Sequence, residues 1–199
     1  MAITTRHVGP EDHGIPLTLD EFIEADFEAG WLYELARGVV QVTEVPGIHH
    51  GRIVDRVTAM FVVYQINHPG VINYRANASE CRLRLPGMQS DRHPDQAIYL
   101  LPPPEGPQPW TRWVPQIVVE VVSRGGEERD YIEKREEYLR AGVIEYWILD
   151  PAEGSMKVLL RAGDVWQEQI VAADACYRTP LLPGLEAYPR ALLGAENAG

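Results

Sequence analysis

Residues 117–122 read Ile-Val-Val-Glu-Val-Val, an almost wholly apolar, β-branched run with one carboxylate, Glu120, inside it. Such a run fits a strand buried on both faces at the centre of a sheet. An ionised, unpaired carboxylate there costs on the order of several kcal/mol, so Glu120 requires a cation or a proton. Two readings follow. Either its side chain emerges near a sheet end and meets an arginine, or it marks a site.

Working outward, Pro94-Asp95 opens another strand, expected over residues 94–101. If the two strands lie side by side, Asp95 and Glu120 bring oxygens to one sheet end. That donor type suits a hard cation such as Mg²⁺. Beyond the central strand, Ser123-Arg124-Gly125-Gly126 breaks the chain before a helix expected over residues 127–140. On a helical wheel Lys134 sits at the border of the apolar face, beside Tyr138 and Tyr131. It can snorkel to solvent, or point over the sheet end and stabilise charge on a phosphate. Arg135 falls near the middle of the same arc, where it either pairs with a carboxylate or aids phosphate binding. Asp130 precedes Lys134 by one turn and can form an i,i+4 pair with it.

Toward the N-terminus, Thr18-Leu19-Asp20-Glu21 reads as a capping box, followed by an apolar stripe of Leu19, Phe22, Ile23 and Phe27 that Gly30 ends. A hairpin is expected around Arg37-Gly38, with strands at 31–36 and 39–45. Glu34, the polar member of its first strand, is either solvent-facing or a further carboxylate at the site. A helix over residues 49–67 presents Ile53, Val57, Met60 and Tyr64 on one face. His49 and His50 begin it. With no third ligand nearby they read as capping or packing residues, although His50 can contact a phosphate. Short strands are expected at 71–75, 80–85, 145–150, 156–160 and 165–171. Residues 101–110 (LPPPEGPQPW) form a proline-rich surface loop, and residues 181–194 pack late and loosely. The order of elements predicts an α/β chain of the α+β kind, a mixed sheet with a few helices.

The 199 residues suffice for one domain with its own core. We expect an N-terminal tail at 1–16, the domain at 17–193 and a C-terminal tail at 194–199. No apolar run reaches the ~20 residues that span a bilayer, and the opening residues lack the apolar segment of a signal peptide. Cys81 and Cys176 are far apart without metal-type spacing, which fits reduced thiols and a cytoplasmic protein. The net charge of −11 opposes phosphate binding, but residues 50–92 hold six arginines against three acids. No P-loop, dinucleotide fingerprint or GxSxG motif is present.

Taken together, these positions resemble the Uma-type family, a branch of the PD-(D/E)xK nuclease superfamily, from about Leu17 to Leu193. The resemblance runs through LTLDEFIEAD at 17–26, the Glu34 hairpin, His50-Gly51, Pro94-Asp95, VVEVVS at 118–123, Asp130 with Lys134 and Tyr138, GVIEYWILDP at 142–151, and LPGLE at 182–186. It implies a restriction-endonuclease-like core carrying an N-terminal helix and hairpin and extra C-terminal strands. Asp95 and Glu120 would bind Mg²⁺, or Mn²⁺ in its place, and Lys134 would replace the lysine usually found two residues after the second acid, where this chain has Val122. The implied activity is endonucleolytic hydrolysis of DNA, and a homodimer is implied by analogy. Ser123-Arg124-Gly125-Gly126 departs from the family's Ser-Pro-Ser or Ser-Pro-Thr. The alternative is a nuclease-like fold kept as a binding or dimeric interaction module.

Overall fold

The computed structural model describes residues 5–107 and 109–194. In chain order the elements are β1 (His7–Val8), α1 (Leu19–Ile23), β2 (Asp26–Phe27), β3 (Trp31–Ala36), β4 (Val39–Glu44), α2 (Ile48–Asn67), β5 (Tyr74–Asn77), β6 (Leu83–Leu85), β7 (Ser90–Arg92), β8 (Gln96–Tyr99), β9 (Ile117–Val121), α3 (Lys134–Ala141), β10 (Glu145–Asp150), β11 (Ser155–Ala162), β12 (Val165–Val171) and α4 (Pro189–Leu193). A π-helical turn, Arg129–Glu133, runs directly into α3.

Six strands form the main sheet in the order β12-β11-β10-β9-β8-β5. Only β9 and β10 are parallel; the other neighbours are antiparallel. The run at 117–122 is central as expected, and every residue of β9 is buried. One face of this sheet carries Ile98, Val119, Val121 and Trp147 and is covered by α2 and the chain from Tyr177 to Leu193. The opposite face carries Val118, Val122, Tyr146 and Ile148 and is covered by Tyr138 of α3 and Leu83 and Leu85 of β6. Each fully buried side chain of this size contributes about 1.5–3 kcal/mol. A second sheet, ordered β4-β3-β7-β6, flanks that face.

The local signals explain most of the elements. Thr18 caps α1, and Glu21 returns a carboxylate to the Thr18 amide. The hairpin turns at Arg37 and Gly38, whose φ angles of 51° and 80° are the left-handed pair that matches strand twist. In α2 the buried face is Ile53, Val57, Phe61 and Tyr64. Phe61 takes the place expected for Met60 and packs on Trp147.

Three expectations are corrected. Phe27 belongs to β2 and not to the first helix, because α1 stops at Ile23 and residues 26–27 pair with 7–8. Residues 5–16 are not a free tail: Val8 is fully buried against Phe22 and Leu35, and Pro16 bridges Val39. The segment at 181–194 packs closely, with Leu182, Leu185, Leu192 and Leu193 in the core. Residues 195–199 of the expected C-terminal tail lie outside the described residues. Among the described residues, no helix is long and apolar enough to cross a membrane.

Candidate active site

The register between β8 and β9 sets Gln96 opposite Val119, so Asp95 falls opposite Glu120 at one end of the main sheet. The Val121 amide donates to Asp95 Oδ2 at 2.8 Å, which fixes that carboxylate at the strand entrance. His50, on the first turn of α2, places Nε2 3.2 Å from Asp95 Oδ2 and 3.2 Å from the Val121 carbonyl. A carboxylate and a main-chain oxygen therefore converge on one nitrogen. Burial acts to lower the His50 pKa, but its bond to Asp95 and the charges of Asp95 and Glu120 outweigh that and raise it.

Lys134 does not snorkel to solvent. Its ammonium is buried and donates to Glu120 Oε1 at 2.8 Å, with Asp130 Oδ1 at 3.5 Å and Glu34 Oε1 at 3.6 Å. Desolvation works against the charged lysine, but the carboxylates of Glu120, Glu34 and Asp130 prevail and lift its pKa well above the ordinary range. Tyr138, one turn later in α3, donates its hydroxyl to the same Glu120 oxygen at 2.6 Å. Glu120 thus receives two donors on one oxygen. Its pKa is nevertheless pushed up to about 7: burial raises it, Lys134 opposes this, and Asp95, Asp130 and Glu34 raise it further. Negative charge is in excess around this carboxylate. Glu34 behaves oppositely. Burial would raise its pKa, but Lys134, Arg92, the His93 amide and Arg129 hold it at about 2.

Arg92 is not among the site residues expected from the sequence, where it is only one of the six arginines within residues 50–92. It is fully buried, and its guanidinium touches β3, β4, the π turn and α3. Nε and Nη2 grip Glu137 at 2.6 and 3.0 Å, and Nη2 reaches Glu133 at 3.2 Å. Nη1 reaches Gln41 at 3.1 Å and Glu34 at 3.3 Å. One cation therefore joins the β3–β4 hairpin that carries Glu34 to the helix that carries Lys134. No local signal marks it: Glu133 and Glu137 form an i,i+4 acidic pair that solvent could equally satisfy.

The loop after β9 completes the site. Arg129 donates to Asp130 at 3.2 Å and to Ser123 Oγ at 3.3 Å. Gly125 has a φ of +80°, which suits glycine. A Cβ on Gly126 would lie 2.8 Å from Arg129 and 2.9 Å from Ser123 Oγ, so only glycine fits there without a shift. Of the two readings for Arg135, pairing with a carboxylate is the one observed: it donates to Glu168 of β12 at 2.9 Å and does not line the cleft, so it is no accessory site residue. The expected residues Glu34, His50, Asp95, Glu120 and Lys134 all line one cleft of about 880 Å³. A groove of about 470 Å³ between α2 and α4 is mostly apolar and contains none of them.

Among the described residues, no cage of three or more His, Cys, Asp or Glu side chains is assembled for a metal. The donors present are the Asp95 and Glu120 carboxylates and the Val121 carbonyl. An all-oxygen, incomplete set of this kind fits Mg²⁺, which keeps several waters, better than it fits zinc. The surplus negative charge at Glu120 is what such a cation would offset.

The chain was compared with known proteins. No curated protein matches it significantly. A crystal structure from Anabaena variabilis, described as that of a "putative nuclease belonging to DUF820", superposes with a TM-score of 0.70 at 17% sequence identity, covering 89% of this chain and 98% of the other. That likeness establishes the shared restriction-endonuclease-like fold. Residues 19–192, spanning both sheets and every residue of the cleft discussed above, match the Uma2 family, described as "Putative restriction endonuclease". The chain belongs to the Uma2 family.

Proposed function

We propose that this protein is a Mg²⁺-dependent endonuclease of the PD-(D/E)xK type that hydrolyses DNA phosphodiester bonds, with Mn²⁺ able to substitute. The observation that carries this reading is the gathering of Glu120, Glu34 and Asp130 around Lys134, with Asp95 opposite Glu120 at the same sheet end, which leaves Glu120 with a pKa of about 7 despite an ammonium at 2.8 Å. Family membership and the shared fold of the Anabaena protein support it.

Asp95 and Glu120 would hold the cation, with the Val121 carbonyl beside them. When bound, Mg²⁺ supplies Lewis-acid polarisation of a phosphoryl oxygen. Lys134 stays protonated and stabilises negative charge that grows on the phosphate, an effect strengthened by the dry surroundings. Tyr138 and Lys134 fix one Glu120 oxygen and orient the other. His50 and the Val121 amide do the same for Asp95. The glycines at 125 and 126 let a phosphate approach the main chain. The free thiols Cys81 and Cys176 fit a cytoplasmic setting. A homodimer belongs to this reading where the substrate is a duplex, since one site cuts one strand.

The test is cleavage of supercoiled plasmid and of single-stranded DNA with Mg²⁺ or Mn²⁺ by the wild type, Glu120→Ala and Lys134→Ala. Cutting by wild type alone, with both variants folded, supports the assignment. A wild type inert on every metal and substrate would leave the binding-module reading, with Glu120 and Lys134 a structural pair.

A further inference from the structure

The cleft has two unlike rims. One comes from loops at the end of the main sheet: the chain after β5 supplies Ser79 and Arg82, and the chain after β9 supplies Arg124 and Arg129. The other comes from the residues that enter and leave the β3–β4 hairpin, among them Phe27, Trp31 and Glu44. The loop rim is cationic. Arg82 leaves 39% of its side chain exposed, and behind it lies Asp91, fully buried, with neither carboxylate oxygen hydrogen-bonded. Asp91 sits 4.0 Å from Arg82 and 3.5 Å from Arg84, near enough to hold both arginines in place without capping their donors.

The hairpin rim is aromatic and acidic. Phe27 packs on Tyr33 with ring centroids 4.8 Å apart. The Tyr33 hydroxyl is buried without a hydrogen-bond partner, and burial together with Glu28, Glu11 and Asp12 raises its pKa. A phosphate is repelled from this side, whereas a nucleobase is not.

We infer that the cleft takes a single nucleic-acid strand, its phosphates along Arg82, Arg124 and Arg129 and an unstacked base against Trp31. A duplex carries phosphates on both strands, so seating one here turns its second backbone toward Glu44 and its neighbours. A single strand has one backbone, and its bases face the aromatic rim. The volume of about 880 Å³ suits one or two unstacked nucleotides. Stacking of a base on an aromatic ring is tolerant of sequence and strengthens binding by about tenfold or more. This inference rests on the nuclease reading for the type of ligand, but it concerns binding and not turnover.

The experiment is fluorescence anisotropy in EDTA, with a labelled oligothymidylate and a labelled duplex of equal length. The wild type is expected to bind the single strand at least about tenfold more tightly than the duplex. Trp31→Ala should cost about tenfold in single-strand affinity, Trp31→Phe should restore most of it, and Arg82→Ala should weaken binding and flatten its salt dependence. Melting curves verify that Trp31→Ala folds, and the exposed Arg82 gives a second variant if it does not. Duplex binding equal to or tighter than single-strand binding, no binding to either, or indifference to both substitutions overturns the inference. Strand binding without any cleavage in Mg²⁺ would instead remove the nuclease reading and leave this one standing.

Discussion

Lys134 Nζ lies 2.8 Å from Glu120 Oε1, and both side chains are buried. Lys134→Met would leave Glu120, Glu34 and Asp130 without the cation they share. We expect it to destabilise the fold by about 3–5 kcal/mol, the cost of an uncompensated buried charge. Glu120→Gln keeps an oxygen for Tyr138 and leaves Lys134 with Glu34 and Asp130, so its destabilisation should be smaller. Both should lower cleavage by roughly 100-fold or more. Urea unfolding and plasmid nicking measure the two effects.

The pH dependence of stability should separate two glutamates. Glu120 titrates at about 7 in the folded protein against a usual 4.5, so the folded state retains a proton that the unfolded state loses. Its contribution therefore declines as pH rises from 4.5 to 7. Glu34, held at about 2, contributes fully above 4.5 and loses that contribution as pH falls toward 2. Metal-free wild type compared with Glu120→Gln by urea midpoint should lose relative stability across the upper window. Compared with Glu34→Gln, it should lose relative stability across the lower one.

Mg²⁺ at about ten times its dissociation constant should stabilise the wild type by about 1.4 kcal/mol at pH 8. Asp95→Asn and Glu120→Gln should show little of this gain. A thermal shift of equal size in all three proteins would remove these side chains as the cation's ligands.

Arg92 should tolerate no replacement. Arg92→Met takes both hydrogen bonds from the fully buried Glu137 and leaves it only Arg37 at 3.6 Å, for about 3 kcal/mol of lost stability. Lysine cannot reproduce the two-pronged grip, so Arg92→Lys should recover only part of it. A double-mutant cycle with Glu137→Gln should give a coupling of at least about 1 kcal/mol.

Gly126→Ala forces a Cβ to within 3.1 Å of the Ser123 carbonyl and closer still to Arg129. The Arg129 and Ser123 side chains must move aside, breaking their mutual bond, and the Ser123 carbonyl must give by a few tenths of an ångström, at a cost of about 1 kcal/mol. Cleavage should fall more than stability does, measured on the same preparation.

Much of this was legible in the sequence because it depends on local patterns. The capping box at Thr18, the Arg37-Gly38 turn and the β-branched run at 117–122 each specify their own backbone. So does the placement of Asp95 opposite Glu120, which needs only that two strands be neighbours. What escaped was set by distant partners. Arg92 lies in the polar run Ser90-Asp91-Arg92-His93, which carries no strand pattern, and nothing nearby reveals that Glu34, Gln41, Glu133 and Glu137 surround it. For Arg135 the helical wheel leaves carboxylate pairing and phosphate binding both open, and only the distant strand β12 supplies its partner Glu168. Phe27 fitted a helical stripe, yet pairing with residues 7–8 took it into a strand.

The π turn ahead of α3 has a consequence for how the chain can vary in length. Arg129–Glu133 accommodates more residues per turn than an α-helix, as if one residue had been inserted just ahead of Lys134. Removing one residue there would relax the segment to ordinary winding. The flanking turns would keep their phase, because a π turn absorbs its extra residue locally, and the side chains inside the turn would be aimed differently. Asp130 would lose its 3.5 Å approach to Lys134, and Arg129 its bond to Ser123. The winding of these five residues is thus as much a part of the site as the side chains they carry.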